Sequence, residues 1–214
     1  TAYMPDDEEL FVYEDLPHER VSGMTRAYVK VQEGCDQFCA YCIIPYARGP
    51  LRSRSEEDTI AEINMLVEKG YKEVILTGIH LGAYGRGVKD QTCDLTGLCR
   101  RILDETKIER LRLGSLEGIE VTDELIEMIA DNPRMAQHLH LPLQSGCDRT
   151  LEAMRRPYDS EEFRNMMRSI RQRVPDIAIT TDLMVGFPDE TEEDFKESLV
   201  FCNDIAFANM HIFK

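Results

Sequence analysis

The sequence predicts an α/β protein built on a parallel sheet, either doubly wound or curled into a barrel. Three observations predict it. Six strand-like segments alternate with five helix-like ones. Most of the strands are short apolar runs. Polar and glycine-rich residues collect just after the strands, where the loops of parallel barrels build their sites.

The elements follow in order. "AYVKVQ" (27–32) has apolar residues at period two and reads as a strand. "SEEDTIAEINMLVEKG" reads as a helix: Ser55 and Asp58 form a cap pair, Ile60, Ile63 and Val67 share a face, and Gly70 suits the position after the last turn. "EVILTG" (73–78) is continuously apolar, as expected of a strand buried on both faces. A helix near 94–104 precedes the strand "RLRLGS" (110–115), and a helix near 122–130 precedes "HLHLPL" (138–143). A helix over 160–173, with Ser160 as its cap, precedes "IAITTDLMVGF" (177–187). The last helix opens at "TEEDF" with Thr191 and Asp194 as a cap pair, and "NMHIF" (209–213) is the sixth strand. The loops after the strands are the cysteine loop, "TGIHLGAYG", "GSLEG", "LQSG" and "GFPDET". Five of the six strand ends therefore carry polar chemistry on one rim. His138 and His140 alternate with leucines, so one is expected to face inward and the other the helices, with no metal role for either.

Residues 1–24 are acidic, contain Pro5 and Pro17 and show no period. They are expected to be a linker from an N-terminal domain outside this chain, with residues 25–214 as the core domain. The absence of an initial Met fits a piece of a longer protein. No basic region followed by an apolar core marks a signal peptide, and no apolar run approaches the ~20 residues of a membrane span.

Composition, 43% apolar and 30% charged, is that of a soluble globular protein. A net charge of −15 argues against this domain alone gripping a nucleic-acid backbone. The basic clusters Arg100–Arg101, Arg155–Arg156 and Arg164, Arg168, Arg171, Arg173 read as solvated helix faces. Arg48, Arg52 and Arg54 stand just after the cysteines, and Arg48 and Arg52 are by position candidates for phosphate or carboxylate contact.

The seven cysteines are an odd number, so full disulfide pairing is impossible. "EGCDQFCAYCIIP" places Cys35, Cys39 and Cys42 at the spacing C-x3-C-x2-C. Without an export signal, clustered cysteines point to metal or catalysis in a reducing compartment. Three thiolates are too few for a closed zinc site or a four-cysteine electron carrier. His80 or His18 could supply a fourth zinc ligand, although no spacing recommends either, and three inert packing cysteines are the remaining alternative. The physical reading preferred is a [4Fe–4S] cluster held at three irons, with the fourth open to a small chelating ligand. Cys93, Cys99, Cys147 and Cys202 are scattered and read as packing or surface residues.

C-x3-C-x2-C with Tyr41 before the last cysteine resembles the radical S-adenosylmethionine superfamily. That resemblance implies a partial (β/α)6 TIM-like barrel, a [4Fe–4S] cluster on Cys35, Cys39 and Cys42, and S-adenosylmethionine chelated at the open iron and cleaved to a 5′-deoxyadenosyl radical. Beyond the cysteines, "VKVQEGCDQFCAYCIIPYARGPLRSRS", "EVILTGIHLGAYG", "LRLGSLEG", "HLHLPLQSGCDRTLEAMRRPY" and "TTDLMVGFPDETEEDF" resemble the methylthiotransferase branch. "CIIPYARG" and "LTGIHLGAYG" favour the enzymes that act on C2 of N6-threonylcarbamoyladenosine at position 37 of tRNA, over relatives acting on isopentenyladenosine or on a ribosomal protein.

The branch implies roles for further residues. Tyr41 would lie against the adenine; Leu76, Thr77 and Gly78 would meet the methionyl amine through their backbone. Gln144 would bond the ribose, with Ser115 and Glu117 facing the same space, and Asp182, Val185 and Gly186 would support the adenine. Each also has a structural alternative: a turn at Thr77–Gly78, loop punctuation after Val185, a satisfied polar group at Asp182, and structural hydrogen bonds at Ser115 and Glu117. The branch further implies an electron donor such as flavodoxin or ferredoxin and a cytoplasmic setting. A second [4Fe–4S] cluster is expected only in a missing N-terminal domain, and most tRNA affinity in a missing C-terminal RNA-binding domain. Gly118 and Asp189 stand where the branch often has Pro and Gly.

Overall fold

A computed structural model describes residues 25–86 and 93–214. The proposed linker lies outside the described residues, as does His18. The chain divides into two units: residues up to Gln37 with Ile43–Gly114 and Arg134–Ala136, and Phe38–Cys42 with Ser115–Pro133 and Gln137–Lys214.

The first unit opens with β1 (Arg26–Glu33), in which Ala27, Val29 and Val31 are buried while Arg26 and Tyr28 are exposed. The short helix α1 (Ile44–Arg48) starts on Pro45, whose fixed φ suits a first turn. It leads into β2 (Arg52–Ser53), the one antiparallel neighbour of β1. Helix α2 (Glu56–Glu68) begins where the Ser55 hydroxyl accepts from the Asp58 N–H, as expected. Its buried face is Thr59, Ile60, Ile63 and Leu66, so Leu66 replaces the expected Val67. In β3 (Glu73–Gly78), Val74, Ile75 and Leu76 are buried in succession, as a central strand requires. Helix α3 (Leu95–Glu105) is capped by Asp94, and β4 (Arg110–Leu113) closes a sheet of order β2-β1-β3-β4. β1, β3 and β4 run parallel, with Val29 opposite Leu76 and Leu76 opposite Leu113.

The second unit contains α4 (Asp123–Asp131), β5 (His138–His140), α5 (Asp148–Ala153), α6 (Ser160–Arg173), β6 (Ala178–Met184), α7 (Glu192–Ile205) and β7 (Asn209–Phe213). Its sheet is parallel in the order β5-β6-β7. Thr122 caps α4, and Thr191 with Asp194 forms the expected capping box on α7. The cap of α6 is Asp159, reciprocated by Glu162, and not the expected Ser160. Aspartate with Glu three residues on satisfies two orphan N–H groups, which a lone serine cannot. Arg171 donates to the carbonyls of Ile205 and Ala206 at the end of α7, so it is a helix cap and not a solvated charge.

The six long strands stand as expected, with β2, α1 and α5 added. Three strands end earlier than expected: β4 at Leu113, β5 at His140 and β6 at Met184. Beyond those points the backbone bonds are single bridges, such as Ser115 to His140 and Gln144 to Leu183. Among the described residues, no helix is long and apolar enough to cross a membrane.

An aromatic cluster holds α6 and α7 in the second unit. Phe163 lies 6.4 Å from Phe201, 6.2 Å from Phe207 and 5.7 Å from Tyr158, centroid to centroid. Phe163 is buried. Phe163→Ala is expected to cost about 3–5 kcal/mol by the transfer and cavity terms together. Urea unfolding checks this; a loss under about 1 kcal/mol would show that the cluster collapses around the cavity.

Candidate functional site

In the first unit, β1 delivers the chain to Cys35 through Gly34. Gly34 has φ +74°, and a Cβ there would lie 1.8 Å from the Pro50 carbonyl oxygen, so only glycine fits. The Cys35 N–H donates to the Gly49 carbonyl at 3.2 Å, and its Sγ accepts from the Gln37 N–H at 3.4 Å. β3 lies beside β1 and brings His80 to Cys35, with Nδ1 3.6 Å from Sγ and 3.3 Å from the Asp36 carboxylate. Cys35, Asp36 and His80 could together hold a metal ion. Pairing of two strands creates this neighbourhood, which is why sequence spacing gave no sign of His80.

Leu76, Thr77 and Gly78 end β3. Gly78 faces Gln32 across a register shift in β1, and a Cβ on it would lie 2.6 Å from the Gln32 Cβ. Thr77–Gly78 is thus a close strand approach as well as a turn. Burial alone would raise the Glu33 carboxyl, but Lys30, the Gly34 N–H and Arg48 outweigh it and hold the group below its usual range. Arg48, a candidate for anion contact, pairs with Glu33 at 3.6 Å. Arg54 is buried against Glu62, and Arg52 lies in β2.

In the second unit, Arg156 organises the site. Its side chain is 2% exposed, which overturns the reading of Arg156 as solvated, while Arg155 is exposed as expected. α5 has ended, Arg155 takes φ 57°, and the chain turns Arg156 inward. One Nη donates to Cys39 Sγ at 3.4 Å and to the Tyr41 hydroxyl at 3.2 Å, and the other pairs with Glu117. Tyr158 accepts from Arg156 at 2.9 Å, and its own hydroxyl donates to the Pro142 carbonyl at 2.8 Å. Burial pushes the Tyr41 and Tyr158 phenols above their usual value. Burial opposes the Arg156 charge, but Tyr158, Glu117 and Tyr41 outweigh it, so the guanidinium stays charged. The Cys42 N–H donates to the Cys39 carbonyl at 3.0 Å, and the Ala40 N–H to the Met154 carbonyl at 3.0 Å, which fixes this short loop.

The remaining candidates of this unit lie at or just past strand ends. Ser115 bridges His140 and is exposed, while Glu117 is taken by Arg156. Gln144 sits at φ 69°, a left-handed conformation uncommon for a residue with a side chain. Its N–H donates to the Asp182 carbonyl at 2.9 Å. Asp182 bonds to His140 and His211. The Val185 N–H donates to the Phe213 carbonyl at 2.8 Å, and Gly186 (φ 75°) donates to Glu190. Asp189 has φ 65°, the conformation for which glycine is favoured, so the branch's usual residue there has a backbone reason.

Two expectations need correction. His138 and His140 share one face of β5, because side chains two residues apart in a strand point the same way. Both approach the Thr180 hydroxyl, at 3.4 and 2.8 Å. Arg156 is the residue sequence reasoning missed; its only signal was a position just before Pro157, where a helix face cannot continue. Of the scattered cysteines, Cys99, Cys147 and Cys202 are buried and Cys93 is half-buried. Burial pushes the Cys99 thiol up to about 12 and Cys202 up to about 11. All seven cysteines are free of disulfides.

The chain belongs to the Radical SAM superfamily, which it matches over residues 29–202. Within that class it is 42% identical, over 94% of its length, to the threonylcarbamoyladenosine tRNA methylthiotransferase MtaB of Bacillus subtilis (strain 168), of which it covers 45%. It is 39% identical, over 97% of its length, to a tRNA-2-methylthio-N(6)-dimethylallyladenosine synthase of Clostridium perfringens, of which it covers 46%. The chain thus spans less than half the length of these relatives. Among solved structures it superposes on the radical S-adenosylmethionine methyltransferase TsrM of Kitasatospora setae with a TM-score of 0.70 at 17% identity, covering 88% of this chain and 35% of that one. It superposes on the Escherichia coli coproporphyrinogen III oxidase HemN at 0.59 and 15% identity, covering 87% and 43%. These likenesses show the fold, that of the partial TIM-like barrel class.

Proposed function

We propose that this chain is the radical-generating core of a tRNA methylthiotransferase acting at C2 of N6-threonylcarbamoyladenosine. The observation that carries the proposal is the C-x3-C-x2-C loop following β1, in a chain 42% identical to such an enzyme over 94% of its length.

Cys35, Cys39 and Cys42 would hold a [4Fe–4S] cluster, and S-adenosylmethionine would chelate its open iron. The donor set supports the fit: three free thiols within eight residues, one of them accepting a hydrogen bond from a buried guanidinium. Such bonds steady a thiolate and tune what it binds. When bound, the cluster supplies the electron that cleaves the sulfonium to a 5′-deoxyadenosyl radical, chemistry that no side chain provides.

The chain's own residues bind and orient. In the first unit, Thr77 and Gly78 offer backbone groups at the end of β3 to the methionyl amine. In the second, Gln144 serves the ribose, and Tyr41, Asp182, Val185 and Gly186 serve the adenine. Ser115 and Glu117 stand beside them, with Glu117 oriented by Arg156. Arg156 also places a fixed positive charge beside Cys39. tRNA is the proposed partner, with flavodoxin or ferredoxin as electron donor, in the cytoplasm.

A second reading has support of its own, because a dimethylallyladenosine synthase of Thermoanaerobacter pseudethanolicus is also 42% identical over 94% of the chain. Identity does not separate the two substrates; "CIIPYARG" and "LTGIHLGAYG" favour the first. Grafting residues 25–214 into the B. subtilis relative in place of its own core tests this in a strain lacking that enzyme. Mass spectrometry of the tRNA is expected to find 2-methylthio-N6-threonylcarbamoyladenosine; methylthiolated dimethylallyladenosine instead would contradict the branch.

A further inference from the structure

We propose that His140, Asp182 and His211, none of them a residue of the cysteine loop, form a binding site for a divalent transition ion of the zinc or ferrous class. The three residues lie on three adjacent parallel strands of the second unit. Asp182 stands opposite His211 in the β6–β7 register, and His140 stands opposite Thr180, two residues before Asp182. Side chains at these positions project from one face. The other face of β6 is buried through Ile179, Thr181 and Leu183, whereas Thr180, Asp182 and Met184 are only half-buried.

The distances bring both imidazoles against one carboxylate, close enough for an ion to bridge the three side chains. Asp182 offers one oxygen to each imidazole: Oδ2 lies 3.2 Å from His140 Nε2, and Oδ1 lies 3.1 Å from His211 Nδ1. All three donor atoms lie within 4.8 Å of one another. The His140 and His211 rings lie 5.8 Å apart between centroids, tilted by 40°. His140 also has the outer support expected of a ligand: its Nδ1 is 2.8 Å from the Thr180 hydroxyl, which turns Nε2 toward the site.

Two imidazoles and one carboxylate suit zinc or ferrous iron over calcium or magnesium, which prefer all-oxygen sets. Three protein donors leave at least one position for water or an oxygen ligand. His140 therefore gains the metal role that the sequence did not suggest. Asp182 is also among the residues assigned to the adenine, and a bound ion would fix its carboxylate.

The test uses Zn²⁺ as probe and the Cys35→Ala/Cys39→Ala/Cys42→Ala chain, which cannot bind zinc through the loop thiols. Calorimetric titration is expected to find one zinc per chain, and Co²⁺ to give a spectrum without thiolate charge-transfer bands. Adding His211→Ala or His140→Ala is expected to weaken binding by at least about tenfold, with far-UV circular dichroism unchanged. If the triple variant does not fold, elemental analysis of the cluster-loaded chain replaces titration: one zinc per chain, lost in His211→Ala. No zinc uptake by the folded protein, or uptake indifferent to both histidines, overturns the proposal and leaves a hydrogen-bonded His–Asp–His cluster.

Discussion

Cys39→Ala protein, reconstituted anaerobically with iron and sulfide, will hold no stable [4Fe–4S] cluster and will not cleave S-adenosylmethionine. The expectation follows from a donor count. Three thiolates already leave one iron without a protein ligand, so losing one leaves two irons open. The buried Arg156 group that donates to Cys39 cannot take its place. A guanidinium has no lone pair to give. Iron content and the brown absorption read the result directly. A brown, active Cys39→Ala protein would sink the ligand assignment. Circular dichroism is the control, since Cys39 is only half-buried and its loss leaves no large cavity.

Arg156→Met is expected to destabilise the second unit by about 3–5 kcal/mol, the cost of removing one partner from a buried ion pair. The loss is large because one side chain serves Cys39, Tyr41, Glu117 and Tyr158. Without it, the largely buried Glu117 carboxylate loses the Arg156 charge, and two phenols lose a donor. Arg156→Met/Glu117→Leu is expected to recover a substantial part of the loss, because a paired replacement leaves no orphan charge. Urea unfolding of both variants measures it. A cost under about 1 kcal/mol for the single variant would mean that water reaches the guanidinium. Equal losses in the two variants would mean that packing, not charge, is at stake.

The sequence carried the element order well because strand burial in a parallel sheet writes itself as apolar runs. Val74, Ile75 and Leu76 show this, and the caps at Ser55 and Thr191 were legible too. It placed the end of "HLHLPL" too late because Leu141, Pro142 and Leu143 stay buried after their ladder bonds stop. Burial continues beyond the strand, and periodicity reports burial, not hydrogen bonding. The cysteine loop was legible because its three donors fall within eight consecutive residues. Contacts made by tertiary pairing were not: His80 beside Cys35, forty-five residues on, and Arg156 beside Cys39, 117 residues on. Arg155 and Arg156 are identical letters with opposite burial, and only the left-handed turn at Arg155 separates them. The His140–Asp182–His211 face depended on strand register, which no linear spacing encodes.

The measurement that bears most directly on the central claim is anaerobic reconstitution, followed by dithionite reduction in the presence of S-adenosylmethionine. The account predicts a chain carrying a four-iron cluster on its loop cysteines and releasing 5′-deoxyadenosine and methionine. A chain whose loop thiols take up zinc and no iron, with Cys35, Asp36 and His80 among the ligands, would contradict it, as would a cluster that cannot cleave S-adenosylmethionine.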